Sequence, residues 1–366
     1  MNEFAVRDVR VAEYTIPTEQ PEADGTLAWD RTVVTVVQPQ LESGVRGLGF
    51  AYGSPAVTAL LRDTLVAEVH GADCRNNGAA WEAMVRSIRN LGRPGVSSMA
   101  VAALDIALWD TKARALDQPL HRVLGAVRDT VPVYGSGGFT TYSDDHLTEQ
   151  MLGWVNAGIP RVKMKIGTDR GRSWRRDFER VRRVRNAIGD DVELFVDANG
   201  AYDRSQARRL GDAFASDCGV TWFEEPVSSD DLVGLSQLRA ALPLDITAGE
   251  YGYHVDYFEQ MLAACAVDVL QADASRCAGI TEWLRVAAVA AAHQTPFSAH
   301  CGPSLHAHAA AVPPNLRHIE YFHDHARIDH LLFDGVLEPV GGALHLSERP
   351  GCGLNLTADA ERWRTA

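Results

Sequence analysis

Apolar positions along this chain follow one rhythm up to about residue 125 and another beyond it. Early on, Arg31 to Gln38 (RTVVTVVQ) is rich in Val and Thr, the composition of a half-buried strand. Gly44 to Gly53 (GVRGLGFAYG) carries the glycine signals of a returning hairpin or meander arm. Thr58 to Val69 and Ser97 to Ala115 space their apolar residues at helical period, with Ser97 or Ser98 as the expected N-cap of the second helix. From Val131 the pattern alternates strand and helix. The predicted strands are Val131–Gly135, Arg161–Lys165, Glu193–Asp197, Thr221–Glu224, Asp245–Ala248, Val267–Gln271, Pro296–Ala299 and His318–Tyr321. Helical stretches such as Trp174–Ile188 and Ser205–Ser216 lie between most of them. Eight short, nearly continuously apolar strands in roughly 190 residues predict a closed parallel barrel buried on both faces. A doubly wound open sheet is the alternative. It would show a glycine-rich phosphate turn after its first strand, and Gly135-Ser-Gly-Gly138 lacks the GxGxxG spacing.

Between the first two strands, Thr15 to Ala28 is polar and holds Pro17, Pro21 and Gly25, which predicts a surface loop or a lid. Composition adds exclusions. A formal net charge of −13 speaks against a nucleic-acid or membrane-surface binder. Six cysteines without a CxxC pair predict reduced thiols rather than a disulfide framework or zinc site. No signal-peptide core fits among the charges of residues 1–17, so a cytoplasmic protein is expected.

Ionisable side chains recur at the strand ends. Lys163 and Lys165 end the second strand, Asp197 the third, Glu224 the fourth and Glu250 the fifth; Asp273, His300 and Glu320 belong to the sixth, seventh and eighth. In a parallel barrel these ends converge on the face where barrel active sites lie. Asp197, Glu224 and Glu250 would repel one another unpaired, and their all-oxygen chemistry predicts Mg²⁺, or Mn²⁺, rather than zinc. Lys163 and Lys165 stand two apart on a strand and should both point into the barrel. Side by side they are expected to depress each other's pKa, making one a base while the other holds a carboxylate. Asp273 beside His300 would fix the imidazole tautomer and create a second base across the pocket. Glu320, if protonated, would donate a hydrogen bond to developing negative charge; the alternative is an ion-pair partner. His306 and His308 form an HxH pair, but a hydrolase would carry such a pair on its first barrel strand.

Taken in order, Lys163-Met-Lys165, Val196-Asp197-Ala-Asn199-Gly200, Trp222-Phe-Glu224-Glu225-Pro226, Ala248-Gly-Glu250, Gln271-Ala-Asp273 and Ala299-His300 resemble the enolase superfamily, and within it the mandelate racemase subgroup. The resemblance covers nearly the whole chain, including the Met99–Lys112 helix (MAVAALDIALWDTK). It is specific for the subgroup and weak for the substrate. It implies an α/β fold: a modified (β/α)7β TIM-type barrel at 126–335 and an α+β capping domain at 1–125, with the tail 336–366 packing on the cap. It places substrate-selecting loops at Pro17–Leu27 and around Phe50–Gly53, and it implies a homo-oligomer.

The resemblance further implies Mg²⁺-dependent removal of the proton α to a carboxylate, giving a metal-stabilised enolate. Lys163 and Glu320 would assist carboxylate binding, and Lys165 or His300 would take the proton, depending on configuration. The expected outcome is loss of water from a sugar acid to a 2-keto-3-deoxy acid. A racemase or epimerase of a 2-hydroxy acid is the alternative; a metal-dependent hydrolase and a non-catalytic barrel are more distant ones. Asn199, Tyr134, Ser136 and Arg276 are expected to contact substrate. A diacid would need a second cation, for which Arg276 and Arg46 are the candidates. Whether Glu225 touches the metal is open.

Overall fold

The computed structural model describes residues 2–366. It opens with an antiparallel sheet of β1 (Val6–Ala23), β2 (Ala28–Leu41) and β3 (Gly49–Gly53), in that order. The first hairpin corrects the loop expected at Thr15–Ala28. There β1 runs on to Ala23, and only the residues from Asp24 to Leu27 turn. The turn is closed by Asp24 Oδ1, which accepts from the amides of Thr26 (2.6 Å) and Leu27 (2.8 Å). The prolines are tolerated because the ladder shifts register between Pro17 and Glu22. The barrel then supplies partners: Thr140 Oγ1 donates to the carbonyls of Ala23 (3.1 Å) and Asp24 (2.8 Å). Gly25 permits the approach, since a Cβ there would lie 2.8 Å from the carbonyl oxygens of both Ala198 and Ile166.

Helical turns from Pro55 to Val69 and Asn77–Ser87 cover one side of this sheet. The Val96–Ala115 helix is buried nearly all round, as its Ala- and Leu-rich sequence requires. Neither Ser97 nor Ser98 caps it. Gly95 stands at the cap, and Ser98 Oγ donates instead to the carbonyl of Tyr253 at 3.1 Å.

Eight parallel strands follow: β4 (Thr130–Gly137), β5 (Arg161–Lys165), β6 (Glu193–Asp197), β7 (Val220–Glu224), β8 (Asp245–Ala248), β9 (Val269–Ala272), β10 (Phe297–Ala299) and β11 (Leu316–Phe322). Pairing of β11 with β4 closes the ring. Inward positions alternate in layers. Phe195 lies beside Lys163 and Trp222; two residues on, Asp197 lies beside Lys165 and Glu224. The lower layer is an aromatic plug, with Phe195 and Trp222 stacked at 5.1 Å and Tyr134 edge-on to Phe195 at 5.5 Å. It keeps water from the ionic layer above, so charges there act on each other strongly.

A helix follows each strand, and the one after β11 (His323–Leu332) turns to the cap. Its Asp324 accepts from Thr32 Oγ1 at 2.8 Å and its Asp329 from the Tyr52 hydroxyl at 2.6 Å. The tail then forms β12 (Phe333–Asp334), β13 (Ala343–His345) and β14 (Asn355–Leu356). It touches both units: β13 pairs with the start of β4, while the Ala366 carbonyl accepts from the Glu13 amide at 2.8 Å. All six cysteines are free thiols. Among the described residues no helix is long and apolar enough to cross a membrane.

Candidate active site

Strands β6 and β7 end on Asp197 and Glu224, and Glu250 follows β8 by two residues. Gly249 aims Glu250 inward. Its φ is +137°, and a Cβ there would lie 2.0 Å from the Gln271 carbonyl, so only glycine lets the chain turn that tightly against β9. Ligand oxygens of Asp197, Glu224 and Glu250 all lie within 4.8 Å of one another, and all three residues are buried. Three like charges so placed require cations.

Lysines supply part of that charge. Lys163 Nζ lies 2.6 Å and 2.7 Å from the two Glu224 oxygens, and Lys165 pairs with Asp197. Glu224 is further oriented by Trp222 Nε1 (3.0 Å) and Gln271 Nε2 (3.1 Å). Yet Glu250 Oε2 and Glu225 Oε1 are buried without a hydrogen-bond partner. The orphaned Glu250 oxygen, with the converging oxygens of Asp197 and Glu224, is the donor set of a hard divalent cation, so the residues present fit Mg²⁺ or Mn²⁺. Glu225, at φ +41°, lies outside the converging three; burial, and then the Glu250 charge, push its carboxyl well up.

Both lysines point into the barrel, and Lys163 does lower Lys165 as expected, but the acids around the pair decide the outcome. Burial pulls each ammonium down, and the carboxylates outweigh it: Glu224 and Glu320 for Lys163, Asp197 for Lys165. Both stand above the ordinary lysine range, because other strands deliver acids closer than the second lysine.

His300 Nδ1 lies 2.9 Å from Asp273 Oδ2, and its Nε2 lies 3.3 Å from Glu250 and 3.2 Å from Cys301 Sγ. Asp273 is itself held by the amide and hydroxyl of Ser275, each at 2.7 Å. The proton therefore sits on Nδ1 and Nε2 faces the cavity. Burial disfavours the imidazolium, but Glu250 and Asp273 more than offset this and raise its pKa.

Glu320 takes the ion-pair alternative. Lys163 stands 2.9 Å from it and the Cys301 amide donates to it at 2.7 Å. Burial alone would raise its carboxyl; Lys163 and His300 bring it well below the usual range. In this arrangement it accepts from both groups. The HxH pair is no metal site either: His306 Nε2 accepts from the Ala274 amide at 2.8 Å, and His308 faces His121 at 3.1 Å.

A cavity of about 410 Å³ opens above this layer. Lys165, Asn199, Glu250, Asp273, Arg276 and His300 line it from the barrel. Asp24, Leu27, Trp29, Arg31, Thr32 and Tyr52 line it from the cap. Asn199 Oδ1 accepts from Lys165 Nζ at 3.1 Å. Arg276 is occupied by Glu250 (3.1 Å) and Asp273 (3.7 Å). Arg46 lines a different opening, near Arg114 and Asp117. Tyr134 and Ser136, expected in the pocket, are wholly buried and do not line it. Tyr134 belongs to the plug, its hydroxyl 3.2 Å from Gln271 Nε2, and Ser136 sits beside Lys163 in the sheet. Sequence reasoning missed Trp29, Arg31, Thr32 and His325. The strand RTVVTVVQ signals a half-buried face, but nothing local says that its first residues overhang a barrel.

Residues 7–125 match the family model of the mandelate racemase / muconate lactonizing enzyme N-terminal domain, and residues 146–360 match that of the enolase C-terminal domain-like family. The chain belongs to the mandelate racemase / muconate lactonizing enzyme family of the enolase superfamily. The resemblance read from the strand-end motifs is thereby met. Within this family the chain is 48% identical to a mandelate racemase/muconate lactonizing enzyme-like protein from Rubrobacter xylanophilus; the crystal structure of that protein aligns with a TM-score of 0.95 over 99% of this chain and 100% of that one. It is 31% identical to L-talarate/galactarate dehydratase of Salmonella typhimurium strain LT2, over 97% of this chain and 90% of that protein. The structure of the dehydratase liganded with Mg and L-lyxarohydroxamate aligns with a TM-score of 0.92 at 29% identity, over 99% and 93%. The 3,6-anhydro-alpha-L-galactonate cycloisomerase of Streptomyces coelicolor is another relative, 30% identical over 98% of each chain.

Proposed function

We propose that this chain is a cytoplasmic, Mg²⁺-dependent acid-sugar dehydratase, which removes the proton α to a carboxylate and expels the β-hydroxyl as water. One observation carries the reading. Lys165 on β5 and His300 after β10 stand three strands apart around an eight-strand ring, and both line the cavity that Glu250 of the acid triad also lines. Relatives named as dehydratases of L-talarate/galactarate, arabinonate and L-rhamnonate support it.

Deprotonation next to a carboxylate makes a dianion, so the site must supply positive charge and two proton carriers. Asp197, Glu224 and Glu250 would hold the cation. When bound, Mg²⁺ supplies charge against the substrate carboxylate and draws on the Asp197 charge that grips Lys165. Lys163 keeps Glu224 and Glu320 in place and adds a second positive charge. Lys165, as the free amine and steadied by Asn199, takes the α-proton on one face. The C–H electron pair becomes the new C=C bond as the β C–O bond breaks. His300, with Nδ1–H fixed on Asp273, hands a proton from Nε2 to the departing hydroxyl, which leaves as water. The enol then gains a proton at the β-carbon and loses its hydroxyl proton, which gives the 2-keto-3-deoxy acid.

The same two carriers suit racemisation or epimerisation, and relatives named as cycloisomerases keep an isomerase as the second reading. Incubation with Mg²⁺ and a panel of acid sugars in deuterated water tests this. 2-Keto acid formation supports dehydration. Deuterium at the α-carbon without keto acid moves the assignment to the isomerase, and neither signal refutes both. Lys165→Ala and His300→Asn should each lose exchange from one face only; wild-type turnover in either variant refutes the paired carriers.

A further inference from the structure

We propose that the acid sugar is a dicarboxylate, an aldarate, whose far carboxylate is held by Arg31 of the cap; this rests on the acid-sugar reading above. The cavity runs from Glu250 of the acid triad to the cap, so a substrate with its reacting carboxylate at that end presents its other end to β2. A carboxylate placed there gains from a cation that is not already paired. The other cations of the cavity are already committed. Lys165 is paired with Asp197, and Arg276 lies 3.1 Å from Glu250 and 3.7 Å from Asp273. The Arg31 guanidinium makes no hydrogen bond to any described residue. Its one acidic neighbour is Asp30 at 4.0 Å, and both side chains are mostly exposed, a pairing worth little in water. The planar fork of an arginine matches a carboxylate two bonds at a time.

The acids at this end do not cancel that charge. Asp24 closes its own turn, and Asp324 accepts from Thr32 (2.8 Å) and Arg327 (2.7 Å). His325 adds a donor. The Gly302 amide donates to its Nδ1 at 3.1 Å, and its ring is stacked on Tyr52 with centroids 3.4 Å apart. The ring proton is therefore on Nε2, which meets no acceptor among the described residues, while the residue lines the cavity. Burial pushes the His325 pKa down to about 4, so the donor is neutral in the working range. A free guanidinium and a fixed N–H suit a substrate end made of oxygen acceptors.

The test uses an aldonate and the aldarate of the same configuration at every shared carbon, with the Mg²⁺-loaded enzyme. Both kcat/KM and calorimetric binding are measured for wild type, Arg31→Met and Arg31→Lys. Wild type should favour the aldarate by about tenfold or more, in KM rather than kcat. Arg31→Met should bring the ratio near one, Arg31→Lys should retain part of it, and added salt should shrink it in wild type. A wild-type ratio near one or favouring the aldonate, or a ratio unchanged in Arg31→Met, overturns the proposal. If neither compound turns over, the dehydratase reading fails and calorimetry alone decides: Arg31-dependent tighter binding of the aldarate supports the proposal, and equal or absent binding overturns it.

Discussion

Glu22 offers a quantitative test of how the cap hairpin is seated. It is buried on β1; one carboxylate oxygen accepts from Trp29 Nε1 at 2.9 Å and the other has no partner. Burial first, and the Asp324 charge second, push its carboxyl up to about 8. An unfolded glutamate titrates at about 4.3. Between these values the folded chain keeps a proton that the unfolded chain has released. Stability from this group is therefore complete below the unfolded pKa and is lost as pH rises through the folded one. Each pH unit in that window is worth about 1.4 kcal/mol, which sums to at most about 5 kcal/mol. Relaxation toward water once the group ionises should leave about half of that. Glu22→Gln keeps the shape and the acceptor for Trp29 but cannot ionise. The two proteins should unfold alike near about pH 4.5, and the variant should be the more stable by about 2–3 kcal/mol near about pH 8.5. For a chain of this size that is a Tm gain of roughly 3 °C. Thermal unfolding of both proteins, stepped across the window, reads the difference directly. Parallel curves at every pH, or a wild type that gains on the variant under alkaline conditions, would refute a buried, protonated Glu22.

Two further outcomes follow from the site. Asp273→Asn replaces the carboxylate that fixes the His300 tautomer with a neutral amide that can also donate, and kcat should fall by about 10²–10⁴-fold with little change in Tm; a loss within threefold would show that His300 works unaided. Mg²⁺ at about a hundred times its Kd should stabilise the folded chain by about 2.7 kcal/mol, reversed by chelator and reduced in Glu250→Gln; an equal Tm gain in that variant would place the ion elsewhere.

The barrel was legible because its evidence is local. A strand buried on both faces must be apolar, and a side-chain period of two puts Phe195 and Asp197, or Trp222 and Glu224, on the same inner face whatever the rest of the chain does. The acid triad could be read from strand ends for the same reason, and so could the pairing of His300 with Asp273.

Other features needed tertiary contacts. Tyr134 and Ser136 read as strand-end residues like Lys165, but β4 continues to Gly137 and pairs Ser136 with Lys163, which leaves both beneath the cavity. The registers that relate eight strands have no local code. The lysine pKa values turned on carboxylates carried in by β6, β7 and β11, which no inspection of Lys163-Met-Lys165 supplies. Thr15–Ala28 reads as a loop until Thr140 and the close approach of Gly25 give its backbone partners. Arg31 reads as a surface residue until the hydrogen bond from Thr32 to Asp324, across 292 positions, lays β2 over the barrel mouth. The amino-acid order alone determined which residues point inward and which of them carry charge, because that depends on near neighbours. Which charges meet, and what overhangs them, was decided by contacts between distant segments, where energies depend on separations that only the folded chain defines.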